Sequence, residues 1–510
     1  MKRVLLVLAV LFLFTAPVYA AEEAPAAPVS IDQMINDTIS PVATWASDKV
    51  FYAINIRGQD VPLIILWLMA IGLFTTFYYG FANIRFFKLT LGLLAGKHQS
   101  EEGRGQISNW QALSTSLSST VGLGNIAGVA IAISLGGPGA TVWMILMGLF
   151  GMSTKFVECA LGIKYRQINK DGVASGGPMY YLSKGFADRG FGPLGKGLAI
   201  FFAICAIGGS LGGGNMFQAN QSYAIAVEAT GGQASFLSGQ GWLFGIILAV
   251  LVGMAIIGGI RSIARVAEKI FPTMAGIYLL AALTIILFNI NQLPDAVMVI
   301  IEGAFNPTAA AGGLLGVMVA GVQRAVFSNE SGIGSAAITY AAVKSDSHIG
   351  QGLISMLNPF IDTVIICTLT ALVISITGVY SGDMEAIAQS DIKGILLTAR
   401  AFATLGDWTI YWLAISVFLF AYSTLIAWYY IGEKGLTYLV GRGKNDSHVI
   451  AFKVFYCSFT VIGAAANLSA VIAFTDAMIF AMAIPNVIAL YVMAPEIKKD
   501  LQQYLKGIGK

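Results

Sequence analysis

Two stretches of the sequence combine glycines with hydroxyl, amide and carboxylate side chains inside otherwise apolar segments. Residues 116–128 read Ser-Leu-Ser-Ser-Thr-Val-Gly-Leu-Gly-Asn-Ile-Ala-Gly, and residues 327–335 read Phe-Ser-Asn-Glu-Ser-Gly-Ile-Gly-Ser. Glycine in a helix interior costs about 1 kcal/mol relative to alanine, so each stretch predicts an interrupted helix. Backbone groups that are freed at membrane depth are tolerated where they line a cavity or are buried in protein. Two interruptions in corresponding halves of a chain therefore predict a binding site.

An interrupted helix offers two kinds of backbone group to a ligand. The N–H groups at the start of one half-helix suit a carboxylate, because the positive end of the helix dipole lies there. The C=O groups at the end of the other half suit an ammonium group or a small cation. A zwitterionic amino acid carries both charges. Gly122 and Gly124 would let such a ligand approach the backbone closely, although the alternative is that they serve close packing between helices.

Two other apolar segments carry polar groups that could complete the site. Ser423 and Thr424 are adjacent hydroxyls, which together with backbone carbonyls could surround a hard cation. The alternative is that each hydroxyl bonds back to its own helix. Asn215, Gln218 and Asn220 follow three glycines, and their amides could either reach a ligand or bridge neighbouring helices.

Charged side chains inside apolar segments are functional hypotheses by default, because burying a charge in a membrane is costly. They are Lys155, Glu158, Arg324, Glu330, Asp362 and Asp476. Lys155 and Glu158 are spaced i, i+3, which predicts a structural ion pair. Glu330 lies in the second interruption and is the candidate for a gating or coupling role. We expect Arg324 to pair with Glu330 or with Asp362.

The composition predicts an all-α polytopic membrane protein. Of the 510 residues, 56% are hydrophobic and 11% are charged, with a mean hydropathy of +0.75, whereas soluble proteins carry about 25% charged residues. Apolar runs of about 20 residues recur, as expected for membrane-spanning helices. They predict about eleven transmembrane helices, at residues 61–81, 107–135, 140–165, 197–229, 242–257, 266–288, 311–342, 350–377, 402–431, 449–465 and 468–494.

Other classes of function find little support. The four cysteines lie in apolar segments, so they predict no disulfide framework or zinc cluster. The three histidines are expected in loops, which excludes a histidine metal site inside the membrane. We find no nucleophile elbow, and we expect no enzymatic activity, no cofactor besides a coupling ion, no nucleic-acid partner and no obligate protein partner.

The order of segments predicts the organisation of the chain. Residues 1–20 have the pattern of a cleaved signal peptide, with an uncleaved anchor helix as the alternative. Residues 21–60 form an external segment with short helices near 31–39 and 41–52, and residues 61–86 an accessory transmembrane helix. Five helices in 107–290 and five in 311–494 are expected to form an inverted repeat. Because five is odd, the second set of five enters the membrane from the opposite side to the first. Residues 495–510 form a cytoplasmic tail.

The basic residues give the orientation of this arrangement. Twenty-two Lys and Arg residues fall on the predicted inner side, including a loop at 166–196, and four on the outer side. Because orientation follows the placement of Lys and Arg, we expect the N-terminus outside and the C-terminus in the cytoplasm. We expect the protein in the plasma (inner) membrane of a bacterium.

Several motifs, occurring in order, resemble those of the alanine/glycine:cation symporter family, which belongs to the LeuT-type superfamily. They lie at residues 122–130, 136–140, 175–181, 327–335, 351–352 and 360–363, and the resemblance covers about 60–494. It implies a LeuT-type 5+5 inverted repeat with two interrupted helices, and sodium-coupled uptake of small neutral amino acids, mainly alanine and glycine, by alternating access.

The resemblance also implies where the ligands bind. Na⁺ would lie between the carbonyls of Ser118 and Val121 and the hydroxyls of Ser423 and Thr424. The amino acid would lie between the two interruptions. The residues expected to contact it are Thr120, Gly122, Leu123, Gly124, Gln218, Phe327, Ser328 and Asn329. A proton-coupled amino-acid transporter and an ion channel are the alternative functions.

Overall fold

The computed structural model describes residues 31–56, 58–97, 105–169, 172–305, 313–380, 394–441 and 447–509. The predicted signal peptide and the histidine at 98 lie outside these residues. The described helices are α1 (Ile31–Val50), α2 (Leu63–Tyr78), α3 (Ala82–Arg85), α4 (Phe87–Leu94), α5 (Asn109–Thr120), α6 (Ala127–Gly136), α7 (Ala140–Lys164), α8 (Pro178–Ala187), α9 (Gly192–Leu211), α10 (Phe217–Ala229), α11 (Gly241–Ile256), α12 (Gly259–Phe288), α13 (Leu293–Phe305), α14 (Gly313–Asn329), α15 (Ser335–Tyr340), α16 (His348–Ser355), α17 (Leu357–Pro359), α18 (Thr368–Ile376), α19 (Ile395–Ala403), α20 (Trp408–Val440), α21 (Ser447–Ala465) and α22 (Leu468–Gly507).

Helical turns of other types complete the described structure, together with two short hairpins. A π-helical turn, Gly212–Met216, joins α9 to α10, and a π-helical stretch, Phe360–Cys367, joins α17 to α18. The 3-10 turns are Leu123–Asn125, Gly232–Ala234 and Ile290–Gln292. Strand β1 (Ala53–Ile56) pairs antiparallel with β2 (Gln59–Pro62), and β3 (Gln167–Ile168) with β4 (Ala174–Ser175).

The described helices confirm an all-α membrane architecture. Seven continuous helical segments are long and apolar enough to cross a membrane, or eight when the bent pair of α5 and α6 is taken as one span. Two of the seven, Gly192–Ala229 and His348–Ile376, run through a π-helical stretch. Two more predicted spans correspond to α2 and α11, which have only 16 residues each. The count of eleven transmembrane helices therefore stays a prediction.

The first predicted interruption is present. A capping box between Ser108 and Gln111 starts α5, which satisfies N–H groups that the first helical turn leaves free. Helix α5 ends at Thr120, and the chain is extended at Gly122 before α6 begins. The two halves meet at a bend of 55°.

The second interruption is built on left-handed backbone. Helix α14 ends at Asn329, and Glu330 then has φ 56°, followed by Gly332 at 89° and Gly334 at 90°. Glycine adopts this conformation freely, whereas a glutamate in it is uncommon. Such backbone persists only where the surroundings impose it, and it concentrates at functional sites.

Several predicted loops contain helices, and several predicted bounds are wrong. The basic loop 166–196 contains α8, which starts at Pro178; the fixed φ of proline suits the first helical position. Helix α13 and most of α19 lie between the predicted transmembrane helices. Helix α20 begins at Trp408 and runs to Val440, beyond the predicted end at 431.

The N-terminal predictions also need correction. The two short helices expected near 31–39 and 41–52 are one helix, α1, with Pro41 inside it. Proline removes one N–H donor, but α1 packs along α22 and stays continuous. The accessory helix ends at Tyr78, not 86, because Gly80 and Phe81 have positive φ. His348 and His448 lie in the first turns of α16 and α21, not in loops.

Candidate functional site

The first interruption lies against the middle of α20. The Thr424 hydroxyl donates to the Ser118 carbonyl at 3.0 Å and also lies 3.0 Å from the Phe420 carbonyl of its own helix. A Cβ at Gly122 would lie 2.5 Å from Thr424 Oγ1. Gly122 therefore permits the close approach of the two helices at this point.

The predicted cation ligands are only partly brought together. Thr424 meets the Ser118 carbonyl, and the Ser118 hydroxyl is buried without a hydrogen-bond partner among the described residues. The Ser423 hydroxyl instead donates to the Phe420 carbonyl at 2.9 Å and lies 3.2 Å from Met274 Sδ. Thr424 and Ser118 thus offer oxygen atoms that suit a hard cation, whereas the Ser423 hydroxyl bonds back to its own helix.

The three amides after the glycine run have different roles. Asn215 Nδ2 donates to the Tyr456 carbonyl at 2.7 Å, and Asn220 Nδ2 donates to the Gly463 carbonyl at 3.2 Å. These bonds tie the π-helical turn and α10 to α21. Gln218 Oε1 instead accepts the Leu123 N–H at 3.1 Å. Gln218 is therefore the amide that reaches the first interruption.

A small buried cavity lies between the two interruptions. Its lining comes from α5, the first break, the π-helical turn, α10, α14, the second break, α20 and α22. The lining residues are Ser119, Thr120, Gly124, Gly213, Gln218, Phe327, Glu330, Trp428 and Ile479. Four of the residues predicted to bind substrate are in this set, and so is Glu330. The predicted residues Gly122, Leu123, Ser328 and Asn329 are not.

Glu330 connects the second interruption to two other elements. Its Oε1 accepts the Trp428 indole N–H at 3.1 Å, and its Oε2 accepts the hydroxyl of Ser335, the first residue of α15. The Lys155 ammonium donates to the Glu330 backbone carbonyl at 2.9 Å. The side chain thus faces the cavity, while the main chain is held from α7.

The predicted ion pair between Lys155 and Glu158 is present inside α7. Lys155 Nζ lies 3.8 Å from Glu158 Oε2, and both side chains are fully buried. Glu158 Oε1 accepts from Asn486 Nδ2 at 2.7 Å, which also donates to the Gly332 carbonyl at 2.9 Å. Lys155 therefore supports the second interruption directly, through the Glu330 carbonyl, and Glu158 supports it through Asn486.

A second polar cluster joins the two interruptions to the π-helical stretch Phe360–Cys367. The Asp362 carboxylate accepts from Asn125 Nδ2 at 2.7 Å, from the Ser328 hydroxyl at 2.9 Å and from the Thr363 hydroxyl at 2.7 Å. The Thr363 hydroxyl in turn accepts from Asn329 Nδ2 at 3.0 Å. Ser328 and Asn329 thus point their side chains at the π-helical stretch, and Asp362 links it to both breaks.

Arg324 has a different partner from the two that were predicted. It pairs with Asp476 of α22, which also accepts from Gln323 Nε2 at 2.9 Å. Arg324 and Glu330 are six residues apart on the two sides of a helix end, so helical geometry does not bring them together. The Arg324 guanidinium also lies 5.2 Å from the ring centroid of Phe327, which lines the cavity.

The electrostatics of this region are dominated by carboxylates. Glu330 and Asp362 are buried, and among the described residues no lysine or arginine lies within ion-pair distance of either carboxylate. Buried carboxylates are costly unless hydrogen bonds or cations compensate them. The cavity lining contains one carboxylate and no basic side chain, so the site disfavours anionic ligands.

Another cavity, between α12, α19 and the start of α20, has no charged side chain in its lining. It is lined mainly by apolar and aromatic side chains, including Phe402, Trp408 and Trp412. The hydroxyls of Thr284 and Thr409 in its wall already donate to backbone carbonyls. It offers no free polar side chain for orienting a ligand.

Sequence reasoning missed Trp428 and Ile479, which line the cavity, and Asn486, which joins Glu158 to the second break. A local signal existed for Trp428, because it follows Thr424 by four residues and residues at i and i+4 share a helix face. Ile479 and Asn486 carry no local signal, since their roles depend on how α22 packs across the chain.

Comparisons with known proteins give a consistent result. The family model described as "Sodium:alanine symporter family" matches residues 45–509. "Sodium/alanine symporter AgcS" of Methanococcus maripaludis is 40% identical over 444 residues, covering 87% of this chain and 94% of the relative. "Probable sodium/glutamine symporter GlnT" of Bacillus subtilis is 32% identical, covering 87% and 88%.

A solved structure supports the fold. The crystal structure of MhsT in complex with L-phenylalanine aligns with a TM-score of 0.54 at 14% identity, covering 76% of this chain and 90% of MhsT. At this identity the likeness shows the fold alone. It confirms the predicted LeuT-type architecture.

Proposed function

The chain belongs to the sodium:alanine symporter family, and we propose that it is a sodium-coupled symporter that imports small neutral amino acids, alanine and glycine. One observation carries the proposal: a buried polar cavity is closed by both interrupted helices. Thr120 and Gly124 come from the first, and Phe327 and Glu330 from the second. A ligand bound there would contact both halves of the predicted inverted repeat, as alternating access requires.

The chemistry of the cavity supports a small neutral amino acid. The interruptions provide backbone N–H and C=O groups for the two charges of the zwitterion. The lining has no basic side chain that would attract the side-chain carboxylate of an acidic amino acid. The small size of the cavity favours alanine and glycine. We expect backbone contacts from Gly122, Leu123 and Gly124, for which the Gly122 and Leu123 N–H groups would leave their present acceptors, Asn125 and Gln218.

For the coupling ion we propose a position between α5 and α20. The Ser118 and Val121 carbonyls and the Thr424 hydroxyl would supply oxygen ligands, and Ser423 would join them after a rotation of its side chain. The contact between Thr424 and the Ser118 carbonyl supports this arrangement. A cation here would tie the first interruption to α20 when the amino acid binds.

We also propose that the N-terminus lies outside and the C-terminus in the cytoplasm. The distribution of lysine and arginine supports this orientation. It is checked by reacting single cysteines, placed at the exposed positions Asp37 and Lys506, with a membrane-impermeant reagent in intact cells.

The testing experiment is uptake of labelled L-alanine into proteoliposomes containing the full chain. We expect accumulation that requires an inward Na⁺ gradient and that stops when K⁺ replaces Na⁺. Counterflow of labelled alanine at zero net gradient separates a transporter from a channel. Uptake driven by a pH gradient without Na⁺ would indicate the proton-coupled alternative, and accumulation of glutamine without alanine would contradict the proposed substrates.

A further inference from the structure

The two interrupted helices are joined to each other at the ends that lie away from the cavity. The segment before α5 runs beside the segment after α15, where the Gln106 N–H donates to the Ala342 carbonyl at 2.7 Å. Arg166, just after α7, also binds the segment after α15. Its guanidinium donates to three backbone carbonyls, those of Ala341, Val343 and Ser345. The start of α5, the end of α15 and the end of α7 are therefore fastened together.

Strand β4 connects these fastened ends to α20. The Ala174 N–H donates to Gln106 Oε1 at 3.2 Å, and the Ala174 carbonyl accepts from Lys434 Nζ of α20 at 3.0 Å. The same ammonium group lies 3.2 Å from the Ser175 hydroxyl oxygen. Ala174 is fully buried. One residue of β4 thus bridges the segment before α5 and α20, with both polar groups of its main chain.

Lys434 is a buried lysine whose ammonium group is held in place. The residue is 3% exposed, and Nζ lies 5.2 Å from the ring centroid of Tyr430, one turn earlier on α20. An ammonium group that leaves water needs acceptors or an aromatic face to compensate the cost. The oxygens of β4 and the ring of Tyr430 supply both, so the side chain is directed at β4.

This contact lies at the inner end of the junction between α5 and α20. Thr424 and the Ser118 carbonyl form that junction in the middle of the two helices, where we place the coupling ion. Lys434 follows Thr424 by ten residues, which corresponds to about 15 Å along an α-helix. Strand β4 therefore joins the same two elements a second time, on the side where the ion would leave for the cytoplasm.

We propose that Lys434 is a positioning residue for transport: it holds β4 across the inner ends of α5 and α20 and so keeps the cytoplasmic exit closed. The proposal rests on the proposed function and orientation. Opening of the exit requires Lys434 to release the Ala174 carbonyl, after which α5 and α20 can separate at their inner ends. Loss of the ammonium group should therefore favour the state that is open to the cytoplasm.

The test measures access to the exit with a reporter cysteine, Ser114→Cys, in the full chain. Ser114 precedes Ser118 by four residues and so shares its helix face. It is buried, and its hydroxyl has no hydrogen-bond partner among the described residues. A membrane-impermeant thiol reagent is applied to the cytoplasmic or the outer side of membrane vesicles. The chain without the reporter gives the background from its own cysteines.

The reporter is combined with Lys434→Met, which keeps the length of the side chain without the ammonium group. Lys453→Met is the matched control, because Lys453 of α21 also donates to a backbone carbonyl, that of Ile257 just after α11, at 3.0 Å. Gln106→Ala removes the acceptor of the Ala174 N–H and frees β4 from its other side.

We expect Lys434→Met to raise the labelling rate from the cytoplasmic side at least about tenfold, as for the loss of a hydrogen bond from a charged donor. Labelling from the outer side should not rise, and Lys453→Met should label like the wild type. If Lys434→Met does not fold, Gln106→Ala decides. An unchanged rate in the folded variants would overturn the proposal, and so would a rise from both sides, which indicates general loosening. Labelling needs no transport, so absence of wild-type alanine uptake would instead defeat the proposed function.

Discussion

The ammonium group of Lys155 donates to the backbone carbonyl of Glu330 at 2.9 Å, in a region where both residues are buried. This carbonyl lies at the second interruption, just past the end of α14, where its other donor is the Ile333 N–H at 3.3 Å. The same ammonium group lies 3.8 Å from Glu158. One lysine therefore balances a buried carboxylate and stabilises a left-handed residue at the wall of the cavity.

Removing this ammonium group should destabilise the protein strongly. Lys155→Met leaves Glu158 buried without a cation, and breaking a buried pair in this way costs about 3–5 kcal/mol. We expect the thermal midpoint of the purified protein in detergent to fall by about 5 °C or more. The double variant Lys155→Met/Glu158→Gln should recover part of the loss, because no unpaired charge remains.

The control for this prediction is Lys196→Met, since Lys196 is exposed on α9. Its effect should stay within about 0.5 kcal/mol, as for most surface substitutions. A single variant Lys155→Met as stable as this control would show that the buried pair contributes nothing to the second interruption.

Glu330→Gln should slow transport more than it weakens binding. Both carboxylate oxygens of Glu330 are engaged, with Trp428 of α20 and Ser335 of α15, so the side chain joins two elements that the proposed alternating access would move relative to each other. We expect the uptake rate to fall about tenfold with a smaller change in affinity, the signature of an interaction not used in ground-state binding. Uptake kinetics and calorimetry are run on the same preparation; equal losses in both would indicate direct contact with the ligand instead.

Removing the Thr424 hydroxyl should weaken the Na⁺ dependence of uptake more than removing the Ser423 hydroxyl. Thr424→Ala removes the group that contacts the Ser118 carbonyl, so we expect the Na⁺ concentration for half-maximal uptake to rise about tenfold, which corresponds to about 1.4 kcal/mol. Ser423→Ala should raise it less, because the Ser423 hydroxyl donates to its own helix.

Ser416→Ala is the matched control for these hydroxyls, since Ser416 lies on the same helix and donates to the Trp412 carbonyl. Its Na⁺ dependence should equal that of the wild type. Wild-type Na⁺ dependence in both Thr424→Ala and Ser423→Ala would place the coupling ion elsewhere.

Replacing Gly124 should abolish amino-acid binding without unfolding the protein. A Cβ there would lie 3.2 Å from Ser328 Cα and 3.4 Å from Phe327 Cδ1. The larger side chain of Gly124→Val would therefore force the two interruptions apart or fill the cavity between them. Calorimetry with alanine measures the binding, and a monodisperse elution profile confirms the fold.

The nearby Gly128→Ala is the control for Gly124. A Cβ at Gly128 would lie 3.9 Å from Phe327 Cδ1, an ordinary contact distance, so we expect near-normal binding. Retained alanine affinity in Gly124→Val would remove Gly124 from the binding site.

The sequence by itself determined the features that depend on local chemistry. Gly122 and Gly124 interrupt one apolar helix, and Gly332 and Gly334 interrupt another. Glycine destabilises a helix interior and adopts left-handed backbone freely, and both properties belong to the residue itself. The ion pair between Lys155 and Glu158 follows from the i, i+3 spacing on one helix face. Composition alone required helices in a membrane, since backbone groups in lipid must be satisfied within each segment.

The tertiary structure alone decided which distant side chains meet. Arg324 pairs with Asp476 of α22, 152 residues away, and not with the nearby Glu330, because α14 ends at Asn329, between the two residues. Trp428 of α20 likewise bonds to Glu330, 98 residues before it in the chain. The periodicity of a helix identifies its faces, but the partner of each face is chosen by packing of shapes along the whole bundle, which no local pattern records.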